Sequence, residues 1–226
     1  MRLKYTILVG VTLLATTAFS QEEPSKVDFY AVYSYLRFNP ALPGVQGHNL
    51  NGGGGGATFF LDKYFGVTGE LMGYETAIWT ANFPSRLVAM PPVVTPHGTT
   101  AIVPAGTYSA RANMFTYLFG PVVRIPMKKA TVFGETLFGG SNTNGYGNLE
   151  RAIDAGGGTL SSVSASQHPF SMAVGGGLDI NLSENVAIRV AEFDYFLTRY
   201  TNSITSTNNQ NNFRYLFGIV FEFHPK

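Results

Sequence analysis

Eight stretches of this chain alternate apolar residues with small or polar ones at a period of two, and the segments joining them alternate between long and short. The stretches are Val27–Phe38, Gly53–Leu61, Phe65–Thr76, Tyr108–Arg124, Thr131–Ser141, Phe170–Leu182, Val186–Tyr200 and Asn212–Phe223. A period of two is that of a strand with two unlike faces. Three connections are brief, "DKY", "IPMKKA" and "SEN". The other four run long: a Pro-containing segment after Phe38, Ala77–Thr107, the Gly- and Ser-rich Asn142–Pro169, and the polar "TNSITSTNNQN". No helical periodicity competes with the strands. An up-and-down meander with unlike ends is the pattern of a transmembrane barrel, which has short turns at one end, long loops at the other and an even number of strands. The expected fold is all-β: an eight-stranded antiparallel up-and-down transmembrane β-barrel.

The two faces indicate which side meets which environment. The last strand sets Tyr215, Phe217, Ile219, Phe221 and Phe223 against Arg214, Leu216, Gly218, Val220 and Glu222. The third sets Phe65, Val67 and Leu71 against Thr68, Glu70 and Tyr74. The sixth sets Phe170, Met172, Val174, Leu178 and Ile180 against Ser171, Ala173, Gly175, Gly177 and Asp179. A water-facing exterior is rich in Lys, Glu and Thr, whereas these polar faces are small residues with isolated ions. Charged residues make up only 13% of the chain and aromatics 14%, which suits a surface that water does not cover entirely. A charge on a lipid face costs roughly 2–4 kcal/mol near the midplane. The ions are therefore expected inside, and Phe65, Val67, Leu71, Tyr215, Phe217, Ile219, Phe221 and Phe223 in lipid. Tyr and Phe should gather at the two membrane interfaces. A soluble lipocalin-like carrier is the alternative with the faces reversed.

Five consecutive glycines, Gly52–Gly56, precede a β-prone stretch. Glycine weakens a strand, so the run needs a reason. No Lys-Ser/Thr follows it, which removes a phosphate loop, and no composition shift marks a linker. Inside a narrow barrel, bare backbone makes room for a bulky neighbour reaching across. Gly175–Gly177 is read the same way. A frayed loop is the remaining reading of the first run.

The N-terminus carries Arg2 and Lys4, an apolar run from Ile7 to Leu14, and small residues Ala18 and Ser20 before Gln21. Residues 1–20 are expected to be a secretory signal peptide and 21–226 an outer-membrane β-barrel domain. The chain has no cysteine, which excludes a disulfide scaffold and thiolate metal sites. A net charge of +1 gives no electrostatic case for nucleic acid.

Among candidate functional residues, Asp179 and Arg189 are equidistant from Glu184 and should pair across the sixth and seventh strands. Glu70, Arg124, Glu135, Glu192, Asp194 and Arg214 are candidates for the same lumen network. Glu192 and Asp194 share a parity that Arg189 does not, so a bulge near Val190 or Ala191 is needed to bring all three inside. An acyl-transfer enzyme needs an oriented base and an oxyanion donor. His168 near Ser164, Ser166 and Ser171 supplies neither in its spacing. His48, His97, His168 and His224 are too scattered for a metal site, and no cofactor is expected. The apolar loop with Trp79, Phe83, Leu87, Val88 and Met90 is expected to fold over the barrel mouth; its alternative is a partner- or lipid-binding loop.

Three stretches, "GGGLDINLSENVAIRVAEFDYFLTRY", "FGPVVRIPMKKATVFGETLFGG" and "YLFGIVFEF", together resemble the outer-membrane-protein β-barrel domain family, the small eight-stranded OmpA-like barrels. Gly218, Phe221 and Phe223 match that family's terminal assembly signal, although His224, Pro225 and Lys226 continue past the aromatic. No peptidoglycan-binding segment is expected, and an anchoring role is not implied. The resemblance implies an outer-membrane location, contact with outer-membrane lipids, and passage through the barrel-assembly machinery. The expectation is a monomeric, non-enzymatic barrel with a structural or surface-interaction role carried by its long loops. The alternatives are a narrow pore or small-solute binder and, in another class, a lipid A-modifying enzyme.

Overall fold

The computed structural model describes residues 24–88, 102–160, 167–202, 204–205 and 208–224. The expected signal peptide, Met90, His97, Ser164 and Ser166 lie outside the described residues. In chain order the elements are β1 (Val27–Phe38), β2 (His48–Phe60), β3 (Phe65–Phe83), β4 (Leu87–Val88), β5 (Ile102–Val103), β6 (Gly106–Pro126), β7 (Ala130–Thr143), α1 (Gly145–Ala155), β8 (Phe170–Asn181), β9 (Val186–Thr198) and β10 (Gln210–Phe223). Eight strands close a barrel in the order β1-β10-β9-β8-β7-β6-β3-β2. All eight pairings are antiparallel. β4 and β5 form a separate two-stranded ribbon inside the long β3–β6 connection.

The chain is the up-and-down barrel that the alternation predicts. The start of β1 pairs with the end of β10, Val27 opposite Phe223. Both termini of the barrel therefore share one end with the three short turns. The four long connections share the other. Along β1, β6 and β10 burial alternates residue by residue, even numbers inward. Phe65, Leu71, Phe217, Ile219, Phe221 and Phe223 are exposed on the outside, and Val67 and Tyr215 are partly so.

Most strand ends stay within two residues of the sequence reading, and three larger departures each have a local reason. β2 begins at His48, not Gly53, so the glycine run is laddered on both sides, to β1 and to β3, and is not a frayed loop. β3 runs on to Phe83 rather than stopping at Thr76. An irregularity between Tyr74 and Ala77 inverts the parity, so Trp79, Ala81 and Phe83 point inward and are buried. That shift broke the period-two pattern and made the extension read as loop. A helix, α1, occupies part of the expected Gly- and Ser-rich loop. Its apolar contacts are Tyr146, Leu149 and Ile153 at i, i+3 and i+7, a one-sided stripe. The stripe is only 11 residues long and bracketed by glycines, which hid it. Gly157, at φ +90°, takes the left-handed turn that ends it.

The even-numbered glycines of β2 face inward beside bulky neighbours. A Cβ on Gly52 would stand 2.7 Å from the Tyr74 ring, on Gly54 2.7 Å from Met72 Sδ, and on Gly56 2.5 Å from the Tyr30 hydroxyl. Tyr30, Met72 and Tyr74 are all buried. In a barrel whose interior just holds its side chains, the glycines supply the volume that these three occupy.

Candidate functional site: a filled lumen

The interior is layered along the barrel axis. At the short-turn end, Arg124 lies over the Phe60 ring, 3.2 Å from its centroid. Its Nη1 donates to Ser25 Oγ at 2.7 Å and stands 3.4 Å from Asp28 Oδ2. Glu222 is buried at the same end. A cavity of about 280 Å³ opens there, lined in part by Lys63, Arg124, Thr131, Asn181 and Glu222.

The next layer is built on β8 and β9. Asp179 and Arg189 are opposite each other in the ladder and form a two-pronged pair: Nε donates to Oδ1 at 2.9 Å and Nη2 to Oδ2 at 3.2 Å. The third nitrogen, Nη1, donates to Glu192 Oε2 at 2.7 Å. The guanidinium carbon lies 4.6 Å from the Tyr30 ring centroid and 4.2 Å from that of Phe133. A bulge makes this geometry possible. Leu178 pairs with Ala191 and Asp179 with Arg189, leaving Val190 without a partner on β8. The extra residue turns Arg189, Glu192 and Asp194 to the same side.

One layer further, Arg214 of β10 donates from Nε to Asp194 Oδ2 at 2.8 Å and from Nη1 to Glu70 Oε1 of β3, across the lumen. Glu135 of β7 is buried among these groups. Among the described residues it joins no ion pair, and its Oε1 has no hydrogen-bond partner. Single carboxylate oxygens of Glu70, Glu135 and Glu192 lie within 4.8 Å of one another. Of the residues expected in one lumen network, the structure therefore brings Asp179, Arg189, Glu192, Asp194, Arg214, Glu70 and Glu135 together. It sets Arg124 apart, with Asp28 as its partner.

Above the ions is a layer of neutral polar pairs: Ser34 with Tyr74, Ser141 with Ser171, and Gln210 with Thr198 and Tyr200. An aromatic cluster closes the long-loop end. Trp79 stacks on Phe38 and His48, with centroids 5.4 and 5.9 Å away, and meets Tyr146 edge-on at 5.1 Å. Tyr146 also packs on Tyr200 at 5.3 Å and donates from its hydroxyl to Pro40 O at 2.8 Å. α1 thus lies across the mouth, with Leu149 and Ile153 buried beneath it. Burial pushes the Tyr146 and Tyr200 hydroxyls above the usual tyrosine range. In the short turn after β2, the Phe65 and Tyr64 amides donate to Asp62 and hold its carboxyl below the usual range.

His168 and the serine beside it are not assembled. Ser171 points inward onto Ser141 at 2.6 Å, whereas His168 is exposed and meets Asn142 at 2.9 Å. The sequence reading did not single out Asp28, Tyr30, Tyr146 or Tyr200. Asp28 and Tyr30 were legible from the parity of β1, which puts both on the side of Ser34 and Leu36. Tyr146 sits in a connection, where no period marks an inward face, whereas Tyr200 ends the expected seventh stretch on the parity of Asp194, two residues past the end of β9.

This is the architecture of the small eight-stranded outer-membrane barrels. Neisserial surface protein A superposes over 89% of this chain and 100% of its own, with a TM-score of 0.56 and 10% identity. OprG, an outer membrane protein from Pseudomonas aeruginosa, superposes over 89% of this chain and 98% of its own, with a TM-score of 0.50 and 13% identity. At such identities the likeness is one of fold. No protein-family model matches the sequence, and no curated protein matches it.

Proposed function

We propose that the chain is a monomeric, non-enzymatic integral protein of the outer membrane that presents its long connections at the cell surface and does not conduct. The observation carrying this reading is the contrast between the two faces of the barrel wall. Arg214, Glu70 and Asp194 are buried at the axis, while Phe65, Leu71, Phe217, Phe221 and Phe223 stand exposed on the outside. In water that exterior is a large unsatisfied apolar surface; in hydrocarbon it is at rest. Tyr33 and Tyr35 on β1 bond through their hydroxyls to Asn51 and Asn49, and Tyr195 on β9 to Asn211. Rings with one wet end suit a membrane interface.

The short turns and both barrel termini then face the periplasm, and the β3–β6 and β7–β8 connections face outward. Outer-membrane lipids are the permanent partner. Gly218, Phe221 and Phe223 act as the recognition signal for the barrel-assembly machinery. A lumen holding seven buried ionic side chains in its two central layers, capped by aromatic rings, supports a barrel that does not conduct.

The deciding experiment is refolding into detergent and liposomes. Heat-modifiable migration in gels and co-sedimentation with vesicles are expected, with no steady single-channel current. A protein that stays soluble with intact β structure once detergent is withdrawn defeats the membrane reading. Steady currents defeat the plugged barrel. An altered lipid A profile in cells carrying the chain defeats the non-enzymatic reading.

A further inference from the structure

Five carboxylates, Glu70, Glu135, Asp179, Glu192 and Asp194, share the middle of the lumen with two guanidiniums, Arg189 and Arg214, and all seven are buried. The two guanidiniums cannot balance all five carboxylates. Arg189 spends three nitrogens on Asp179 and Glu192, and Arg214 spends its own on Asp194 and Glu70. Buried ionised groups without compensation are costly, so the surplus negative charge is met either by a bound cation or by protons.

Three glutamates that each keep an oxygen without a hydrogen bond converge, one of those oxygens, Glu192 Oε1, standing 4.0 Å from Arg214 Nη2. Glu70 Oε2, Glu135 Oε1 and Glu192 Oε1 have no hydrogen-bond partner, and a ligand oxygen from each of these three residues lies within 4.8 Å of the others. A second, independent group points to the same place. The Tyr30 hydroxyl is buried and has no hydrogen-bond partner either. It stands over Gly56, whose neighbour in the ladder is Glu70. Asp194 Oδ1 is likewise unpartnered and buried.

We propose that Glu70, Glu135 and Glu192 bind a divalent cation of the calcium type at the centre of the barrel, with the Tyr30 hydroxyl as a neutral oxygen beside it. The donor set is all oxygen, with no histidine or cysteine, which selects a hard cation over zinc or copper. Two oxygens on opposite sides of Ca²⁺ stand about 4.6–5.2 Å apart at its usual bond lengths. Mg²⁺ draws opposed oxygens to roughly 4.2 Å and holds on to its waters, which a packed lumen does not accommodate. The ligands come from β3, β7 and β9, three strands on different sides of the barrel. The ion therefore ties the wall together across its axis and is taken up as the barrel closes.

The test is to refold the full chain from urea into detergent with CaCl2 or with EGTA, desalt it, and measure metal by mass spectrometry and unfolding by circular dichroism. The expected result is one Ca²⁺ per chain and a thermal midpoint that rises with the logarithm of Ca²⁺ concentration. Glu135→Gln should lose the ion and the calcium-dependent midpoint while still migrating as a folded barrel, and Glu75→Gln, an exposed carboxylate on the outer face, should keep both. Wild-type protein without retained Ca²⁺ overturns the proposal and leaves protons as the neutralising charge. Equal retention by Glu135→Gln overturns it too. If Glu135→Gln does not refold, Tb³⁺ bound to wild type locates the site. Emission that falls in Tyr30→Phe supports the proposal, and emission unchanged by that substitution overturns it.

Discussion

Arg189 and Glu192 are three residues apart on one strand, yet they point to the same side of the sheet and bond at 2.7 Å. In a regular strand, residues at odd spacing face opposite sides. The extra residue at Val190 reconciles the two. Without it, one register cannot place Asp179, Arg189, Glu192 and Asp194 in the lumen together. The bulge is thus the device by which a one-dimensional alternation builds a three-dimensional charge cluster, and the variants that test it are specific.

Arg189→Met should cost about 3–5 kcal/mol, because it strands two buried carboxylates rather than because the pair is strong. Adding Asp179→Asn and Glu192→Gln to Arg189→Met should recover a large part of that loss. Urea titrations of the refolded barrel, read by tryptophan fluorescence, measure both. A triple variant no more stable than Arg189→Met defeats the compensation argument.

The inward glycines make a second prediction, by contrast with an outward one. Gly54→Ala forces a Cβ against Met72 Sδ and the Leu71 carbonyl and should destabilise by roughly 1–3 kcal/mol, the usual cost of overpacking. Gly73→Ala meets nothing within 4 Å. Restricting the unfolded chain there should stabilise by about 0.4–1 kcal/mol. The same urea titration reads both, and a cost for Gly73→Ala equal to that of Gly54→Ala removes crowding as the reason for the glycine run.

These relationships differ in how far they could be read from residues alone. The strand count, the antiparallel order and the sorting of short and long connections follow from alternation and spacing, because a strand's two faces write themselves into the sequence at a period of two. The facing of Asp179 and Arg189 follows too, since a three-residue turn centred on Glu184 sets the register. What stayed hidden lies where the period breaks. Trp79 reads as loop because one extra residue after Tyr74, Glu75 and Thr76 standing opposite Asn113 alone, shifts the parity. α1 was missed because Tyr146, Leu149 and Ile153 are too few to outweigh the glycines around them. That Glu135 joins no ion pair among the described residues could not be read at all. It depends on where arginine side chains on three other strands reach, and a one-dimensional pattern carries no such distance.

The aromatic cap carries a pH signature. Tyr146 and Tyr200 are pushed above the ordinary tyrosine value by burial. A folded-state value above the unfolded one, about 10, means that their contribution to stability is complete below pH 10. It is lost as the pH climbs beyond that. Trp79 is the only tryptophan and packs against Tyr146, so its fluorescence reports on the cap. The emission should stay constant from pH 7 to about 10 and change above it, and Tyr146→Phe should move that change to higher pH. At pH 8 the same variant should cost about 0.5–1.5 kcal/mol for the lost bond to Pro40. A cap transition centred well below pH 10 contradicts the assignment.

Depth is the last quantity the exterior fixes. Ile219 lies midway along the paired length of β10, opposite Ala31, while Phe223 ends it opposite Val27. If hydrocarbon surrounds this wall, arginine at the two positions cannot cost the same. Ile219→Arg should cost roughly 2–4 kcal/mol and Phe223→Arg about 0–1, since the penalty falls toward the interface. The comparison is made in phospholipid vesicles, where thickness is defined. Equal, small penalties at both positions mean that no apolar slab is there, and the aromatic exterior then has to be explained by a protein partner.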